Sequence, residues 1–189
     1  MYLFFDTETT GFPKNWKAPV TDLDNWPRMV QIAWVLGDKK GNRIEQQDYI
    51  IKPEGFKIPK DATKVHGITT DKANRKGADL ETVLREFNAL VTKTDYLVAH
   101  NISFDLKIIG AELLRKDFNN SLPRKKKICT MKSATNYCKL PGKYGYKWPN
   151  LTELHTKLFD KKFKEAHDAS VDIDATEKCF WEMKKIGVI

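Results

Sequence analysis

The chain contains no apolar run near the roughly 20 residues that a membrane-spanning helix requires. Only four apolar residues stand between Met1 and Asp6, too few for the core of a signal peptide, so the expected location is cytoplasmic, with no membrane partner. Cysteine is scarce too. Cys129, Cys138 and Cys179 form no Cys-x-x-Cys pair and sit in apolar, patterned segments, which argues for reduced core residues and against a zinc or disulfide framework. Internal repeats, low-complexity tracts and linkers are missing, so residues 1–189 are expected to form a single domain. Acid is in deficit: 25 Asp+Glu against 33 Lys+Arg leaves a formal charge of +8, which favours a polyanionic partner such as nucleic acid.

What is present begins at once. Tyr2-Leu3-Phe4-Phe5 reads as a short buried strand, and the following Asp6-Thr7-Glu8 places two acids on one strand face, because side chains two apart point the same way. Two carboxylates side by side repel unless a cation neutralises them. An oxygen-preferring divalent metal is one solution, and a surface strand whose acids pair with lysines is the other.

Residues Phe12 to Arg28, with three prolines and two tryptophans, have no period and read as a long loop of the kind that binds ligands. Trp16 and Trp26 could stack on bases or pin the loop to the core. Met29 to Gly37 and Arg43 to Lys52 read as strands, forming with the first an antiparallel three-strand unit. Lys60 to His66 fits a short helix ended by Gly67, and Leu80, Val83, Leu84, Phe87, Leu90 and Val91 mark an amphipathic helix opening near Asp79. Tyr96 to His100 is a buried strand that feeds a helix carrying Asp105 in its first turn, where an acid can also simply complement the helix dipole. Phe118 to Lys127 reads as a polar loop whose four closing cations are a solvated edge or a phosphate contact, and Ile128 to Met131 as a last edge strand leading into a helix through about Cys138. In Leu140 to Pro149, lysines interleave with Tyr144, Tyr146 and Trp148, a pattern suited to a single nucleic-acid strand and equally to an ordinary surface loop. Asn150 and Glu153 form a capping box for a helix through Phe159, and a final helix carries Val171, Ala175, Phe180 and Met183.

His167 and Asp172 are five residues apart, about 140° around a helix, so they serve one point only if His167 precedes the helix and Asp172 lies within it. Asp6 and Glu8 end one strand, Asp105 follows a neighbouring strand, and Asp172 starts the closing helix. Sites in open α/β sheets form where such strand ends diverge. Four carboxylates there would be neutralised by two Mg²⁺, the composition of a two-metal phosphoryl-transfer centre.

Asp6-Thr7-Glu8-Thr9-Thr10-Gly11, Val65-His66-Gly67-Ile68, His100-Asn101-Ile102-Ser103-Phe104-Asp105 and His167-Asp168-Ala169-Ser170-Val171-Asp172 together resemble the ordered motifs of the DEDD-type 3′–5′ exonucleases, in the subgroup whose base is histidine. Within it the chain is most similar to the proofreading epsilon subunit of bacterial replicative DNA polymerase, with ribonuclease T and oligoribonuclease as relatives. The resemblance implies a ribonuclease-H-like α/β fold, a central five-stranded mixed sheet flanked by helices. It also implies Asp6, Glu8, Asp105 and Asp172 as ligands of two Mg²⁺, for which Mn²⁺ can substitute, and His167 as the base that takes the proton from the attacking water. Val65 and His66 would line the pocket of the terminal nucleotide, with Thr9, Thr10 and Asn101 contacting or shaping it. The Phe12 to Arg28 insertion is longer than the family usually has, and Gln31 stands where an acid is often found.

The expected function is a metal-dependent 3′–5′ exonuclease that releases nucleoside monophosphates from single-stranded or frayed 3′ ends, on DNA and with a polymerase as a possible partner. The alternatives are an exoribonuclease of the ribonuclease T or oligoribonuclease type and a non-catalytic nucleic-acid-binding or polymerase-docking module.

Overall fold

The structure, a computed structural model, describes residues 1–161 and 168–189. Its centre is β1 (Tyr2–Thr9), flanked by β2 (Met29–Gly37), which pairs antiparallel to it and to β3 (Arg43–Ile50). After the short helices α1 (Lys60–His66) and α2 (Thr70–Lys76) comes α3 (Leu80–Lys93), which leads to β4 (Tyr96–Ala99), parallel to β1. Helix α4 (Ile102–Arg115) then returns the chain to β5 (Lys126–Cys129), completing a five-stranded mixed sheet in the order β3-β2-β1-β4-β5. Two four-residue helices, α5 (Thr130–Ser133) and α6 (Thr135–Cys138), precede a small hairpin of β6 (Pro141–Gly142) and β7 (Gly145–Tyr146), then α7 (Leu151–Phe159) and α8 (Ala169–Lys185). The expected fold class is met.

The alternation of side chains in β1 decides what each face of the sheet receives. Leu3 and Phe5 enter the core shared with Leu84 and Phe87 of α3 and with Ile108 and Ile109 of α4, whereas Tyr2 and Phe4 pack with Ala169, Ile173 and Phe180 of α8. Continuing the same parity, Asp6 and Glu8 belong to the α8 side and Thr7 to the α4 side. Strand β2 is buried along all nine residues because helices cover both its faces; β3, at the edge, has no fully buried residue, its positions being half-buried or exposed.

Several local expectations hold to the residue. Helix α1 ends at Gly67 in the left-handed region (φ 70°), and Asn150 and Glu153 close a reciprocal capping box on α7. Others are corrected. The last edge strand starts at Lys126, inside the cation run read as loop, since an edge strand accommodates lysines on its unpaired side. The ammonium groups of Lys125 and Lys127 lie on backbone carbonyls, Lys125 on Thr92 and Thr94 and Lys127 on Pro123 and Lys125, so two of the four cations bind their own fold. The helix expected through about Cys138 is divided at Ala134, and the 140–149 loop contains the β6–β7 hairpin. The three cysteines are free, with Cys138 and Cys179 buried and Cys129 half-buried.

The two tryptophans of the 12–28 loop divide the readings offered for them. Trp26 is buried, with its indole N–H on the Pro19 carbonyl, and pins the loop; Trp16 is largely exposed and its ring packs between Phe12 and Phe104. Helix α4 holds the loop from below. Lys107 donates to the Ala18 carbonyl, Arg115 to those of Leu23 and Trp26, and Arg28 Nε to Glu112 at 2.9 Å.

Candidate metal centre

Strand β1 delivers Asp6 and Glu8 on the face that α8 covers, and Asp172 stands in the first turn of α8. One carboxylate oxygen from each of these three lies within 4.8 Å of the others, and each residue is half-buried. Among the described residues, no lysine or arginine forms an ion pair with Asp6, Glu8 or Asp105. Among the described residues, the lysine-pairing alternative for the opening acids is therefore not realised.

Asp105 reaches the same region from the opposite face. Strand β4 stops at Ala99, and Asn101 takes a left-handed conformation (φ 64°, ψ 43°), tolerated by its short polar side chain, so the chain turns directly into α4. Asp105 then falls in the first turn of α4, buried, where its Oδ1 accepts from the Thr7 N–H at 3.1 Å and the Thr7 hydroxyl at 2.8 Å. Thr7, the residue between the two opening acids, is thus the hinge that ties the α4 carboxylate to β1. Sequence reading passed over it because only strand parity, with Thr7 facing away from Asp6 and Glu8, gives it that role.

The electrostatics are those of like charges confined together. Burial, followed by repulsion from Asp105, Asp172, Glu8 and Asp168, holds the Asp6 carboxyl well above its ordinary range. Burial and then Asp172, Asp105 and Asp168 push Glu8 up to about 8. Burial raises Asp105 to about 7 against the opposing hydrogen bonds from Thr7. Hard oxygen donors, close together, half-buried and repelling one another, match the requirements of a divalent cation such as Mg²⁺.

Asp168 is a further acid that the sequence motif contained but whose contribution went unassigned. It caps α8, accepting from the Ser170 N–H at 2.9 Å and the Ser170 hydroxyl at 2.6 Å. Burial opposes its ionisation, but these Ser170 bonds and the contact with Gln31 outweigh it and leave the Asp168 carboxyl below its usual range, so it adds negative charge beside Asp6 and Glu8. Gln31, opposite Glu8 in the β1–β2 register, is buried; its amide nitrogen donates to Asp48 at 2.8 Å and Asp168 at 3.4 Å, while its oxygen accepts from the Ala169 N–H at 3.4 Å. A neutral amide thus bridges two carboxylates that repel each other.

Beside Glu8 a cavity of about 380 Å³ is lined by Thr9, Thr10, Phe12, Val65, His66 and Phe104, among others. Its lining brings together Thr9, Thr10, Val65 and His66; Asn101 is not part of it. The Thr9 hydroxyl donates to the Gly11 carbonyl, and the Thr10 hydroxyl accepts from the Arg28 N–H, so both threonines shape the turn that closes the base of the 12–28 loop. Val65 is exposed, whereas His66 is buried and its Nδ1 accepts from the Ile68 N–H at 3.1 Å. His167, the expected base, lies outside the described residues.

A family model described as exonuclease (RNase_T) matches residues 3–180. DNA polymerase III PolC-type from Streptococcus pyogenes serotype M2 (strain MGAS10270) is 36% identical over 177 residues, which cover 93% of this chain and 10% of that protein. The corresponding protein of serotype M5 (strain Manfredo) gives the same identity and coverage. The chain thus spans about a tenth of the length of the curated relatives it matches. Among solved structures, E. coli Exonuclease I in complex with a dA16 oligonucleotide superposes with a TM-score of 0.74 at 22% identity, covering 97% of this chain and 40% of that one; the complex with a dT13 oligonucleotide gives 0.76. The likeness to Exonuclease I is one of fold, and the sequence match over nearly the whole chain carries the assignment: this protein belongs to the exonuclease family.

Proposed function

We propose that the 189 residues act as one 3′–5′ exonuclease domain of the DEDD type, histidine subgroup, hydrolysing phosphodiester bonds at the 3′ end of DNA to release nucleoside monophosphates. The observation that carries this reading is the grouping of Asp6, Glu8 and Asp172 within 4.8 Å, with Asp105 pressed against the same strand from the other face. Asp6, Glu8 and Asp172 would hold a divalent cation, and Asp105 would support a second. When bound, Mg²⁺ or Mn²⁺ supplies charge neutralisation for the scissile phosphate and activates water.

The protein's own residues do the rest. Thr9, Thr10, Val65 and His66 shape the compartment for the terminal nucleotide beside Glu8. His167 takes the proton from the attacking water, a role typically worth about 10²–10⁴-fold. Two of the other histidines are committed elsewhere: His100 bonds Thr130 Oγ1 and the Pro149 carbonyl, and burial lowers it to about 4, while His155 bonds the Lys161 carbonyl. DNA is favoured over RNA by the DNA polymerase III relatives and by the DNA oligonucleotides bound to Exonuclease I. Those relatives also suggest work beside a polymerase, and the location we propose is the cytoplasm.

The test is digestion of a 3′-labelled single-stranded oligonucleotide with and without EDTA. Asp6→Ala and Asp172→Ala should each abolish EDTA-sensitive release of mononucleotide while folding is retained; wild-type rates in both would refute the centre. For His167→Ala, a severe loss near neutral pH that partly recovers at higher pH identifies the base. An unchanged rate excludes it. Matched DNA and RNA substrates separate the deoxy reading from the exoribonuclease one, and a purified chain that binds but never cleaves would return the non-catalytic alternative.

A further inference from the structure

The excess positive charge is localised. Residues 118–152 contain eight Lys and Arg and no Asp or Glu, so in the rest of the chain 25 cations meet 25 acids. Within this stretch Lys125 and Lys127 are directed to backbone carbonyls. The others include Lys132, Lys139 and Lys143, none of which has a carboxylate within ion-pair distance among the described residues.

These lysines surround the β6–β7 hairpin, and the hairpin displays aromatic rings. Tyr144 at its tip is 91% exposed, Tyr146 is 51% exposed and Trp148 is 60% exposed. Soluble proteins seldom leave three large rings within five residues in water without a use for them. The rings are held in place rather than trailing. Pro141 pairs with Tyr146 and Gly142 with Gly145, and a Cβ at Gly142 would meet the Gly145 carbonyl oxygen at 2.9 Å, so the turn requires glycine there. Lys147 donates its N–H to the Leu140 carbonyl and its ammonium to Glu153. Lys143 lies 5.1 Å above the Tyr144 ring, and Lys132 5.7 Å above that of Trp148. Buried Pro149 then anchors the hairpin to the sheet, its carbonyl 3.1 Å from His100 Nε2, directly after the carboxyl end of β4. That is the end of the sheet at which Asp6, Glu8 and Asp105 meet.

The geometry points to the 139–148 hairpin as a stacking platform for unpaired bases, holding a single nucleic-acid strand whose 3′ end lies at the acidic centre. The occupant follows from the chemistry. Exposed rings stack on any base face, but only where the base is unpaired, and the surrounding lysines, which have no carboxylate partner among the described residues, suit a phosphate backbone rather than a neutral or basic partner. This inference rests on the nuclease reading, and its test is kept independent of cleavage.

Binding of fluorescein-labelled dT20, of an abasic 20-mer of the same charge and of dT3 is measured by anisotropy in EDTA, in the Asp6→Ala background. Tyr144→Ala combined with Trp148→Ala should weaken dT20 by about ten-fold or more, and should leave the abasic chain and dT3 unchanged. Lys132→Gln with Lys143→Gln should weaken both 20-mers and flatten the dependence of log K on log salt, by roughly 0.7 for every phosphate no longer neutralised. Unchanged dT20 affinity in the aromatic double variant overturns the platform, as does an equal loss on the abasic chain. Circular dichroism confirms that the exposed substitutions leave the fold intact. If Asp6→Ala still cleaves, the metal centre fails and the binding result stands; if Asp6→Ala is dead but the hairpin variants bind normally, only the platform fails.

Discussion

Helix α4 buries two carboxylates on one face, two turns apart, and treats them oppositely. Glu112 accepts from Arg28 Nε at 2.9 Å and from the Met29 N–H at 2.9 Å, with Arg115 3.1 Å away. Asp105, seven residues earlier, accepts from the N–H and hydroxyl of Thr7, has no lysine or arginine partner among the described residues, and faces Asp6. At Glu112 the protein supplies cations and obtains structure, since the carboxylate fixes the start of β2 and the end of the 12–28 loop. At Asp105, Asp6 and Glu8 no lysine or arginine among the described residues is supplied, and the acids remain available to a cation from solution. Burial of charge therefore does not itself mark a site. What marks it is burial without internal compensation.

The comparison breaks most sharply by mutation at each pole. Asp6→Asn should reduce hydrolysis by several kcal/mol of transition-state stabilisation, about 10³-fold, while the metal-free protein becomes no less stable, because a repelled carboxylate has been removed. Glu112→Ala should do the reverse to stability. It removes the buried carboxylate that faces Arg28 and Arg115 and should lower the unfolding free energy by about 3–5 kcal/mol in urea titration. If Asp6→Asn destabilised the metal-free protein as much as Glu112→Ala, the distinction between the two kinds of acid would collapse.

A metal titration sharpens it next. Mg²⁺ at about 100 times its dissociation constant should raise stability by about 2.7 kcal/mol per ion, and Asp6→Asn should lose most of that gain while Glu112 variants that still fold keep it. The pH dependence has a defined sign. Glu8 rises from 4.5 to about 8, so between those values the folded, metal-free protein holds a proton that the unfolded chain releases. Its unfolding free energy should accordingly fall as pH rises across that window. Glu8→Gln should flatten the slope in EDTA, and a slope identical to wild type would show that Glu8 does not carry it.

Much of this was legible in the chain. The opening Asp-x-Glu, the strand of Met29 to Gly37, the cap of α7 and the place of Asp105 in a first helical turn follow from period and capping rules that act locally. What escaped depends on neighbours distant in sequence. Lysines concealed the start of β5, because only its edge position makes Lys126 and Lys127 acceptable in a strand. Helix α2 buries a single residue, Ala73, and so has no apolar stripe to find. The Thr7–Asp105 bond spans 98 positions and the Arg28–Glu112 pair 84. His167, placed by motif, lies outside the described residues.

The smallest effect tests whether the boundary between the two treatments is itself constructed. Gln31 stands between Asp48 and Asp168, opposite Glu8, where its amide offers hydrogen bonds without charge. Gln31→Ala removes both donors and the acceptor for the Ala169 N–H, at a cost of about 1–3 kcal/mol. Because α8 begins at Ala169 and carries Asp172 in its first turn, the same change should lower kcat at saturating metal more than it raises KM. Gln31→Glu keeps the shape but sets a further carboxylate opposite Glu8. It should weaken metal-free stability at pH 8 and regain it at pH 5, where protonation lets the new side chain donate again. An equal loss at both pH values would mean that Gln31 serves by fit alone, and that the neutrality of its amide has no part in holding the acids together.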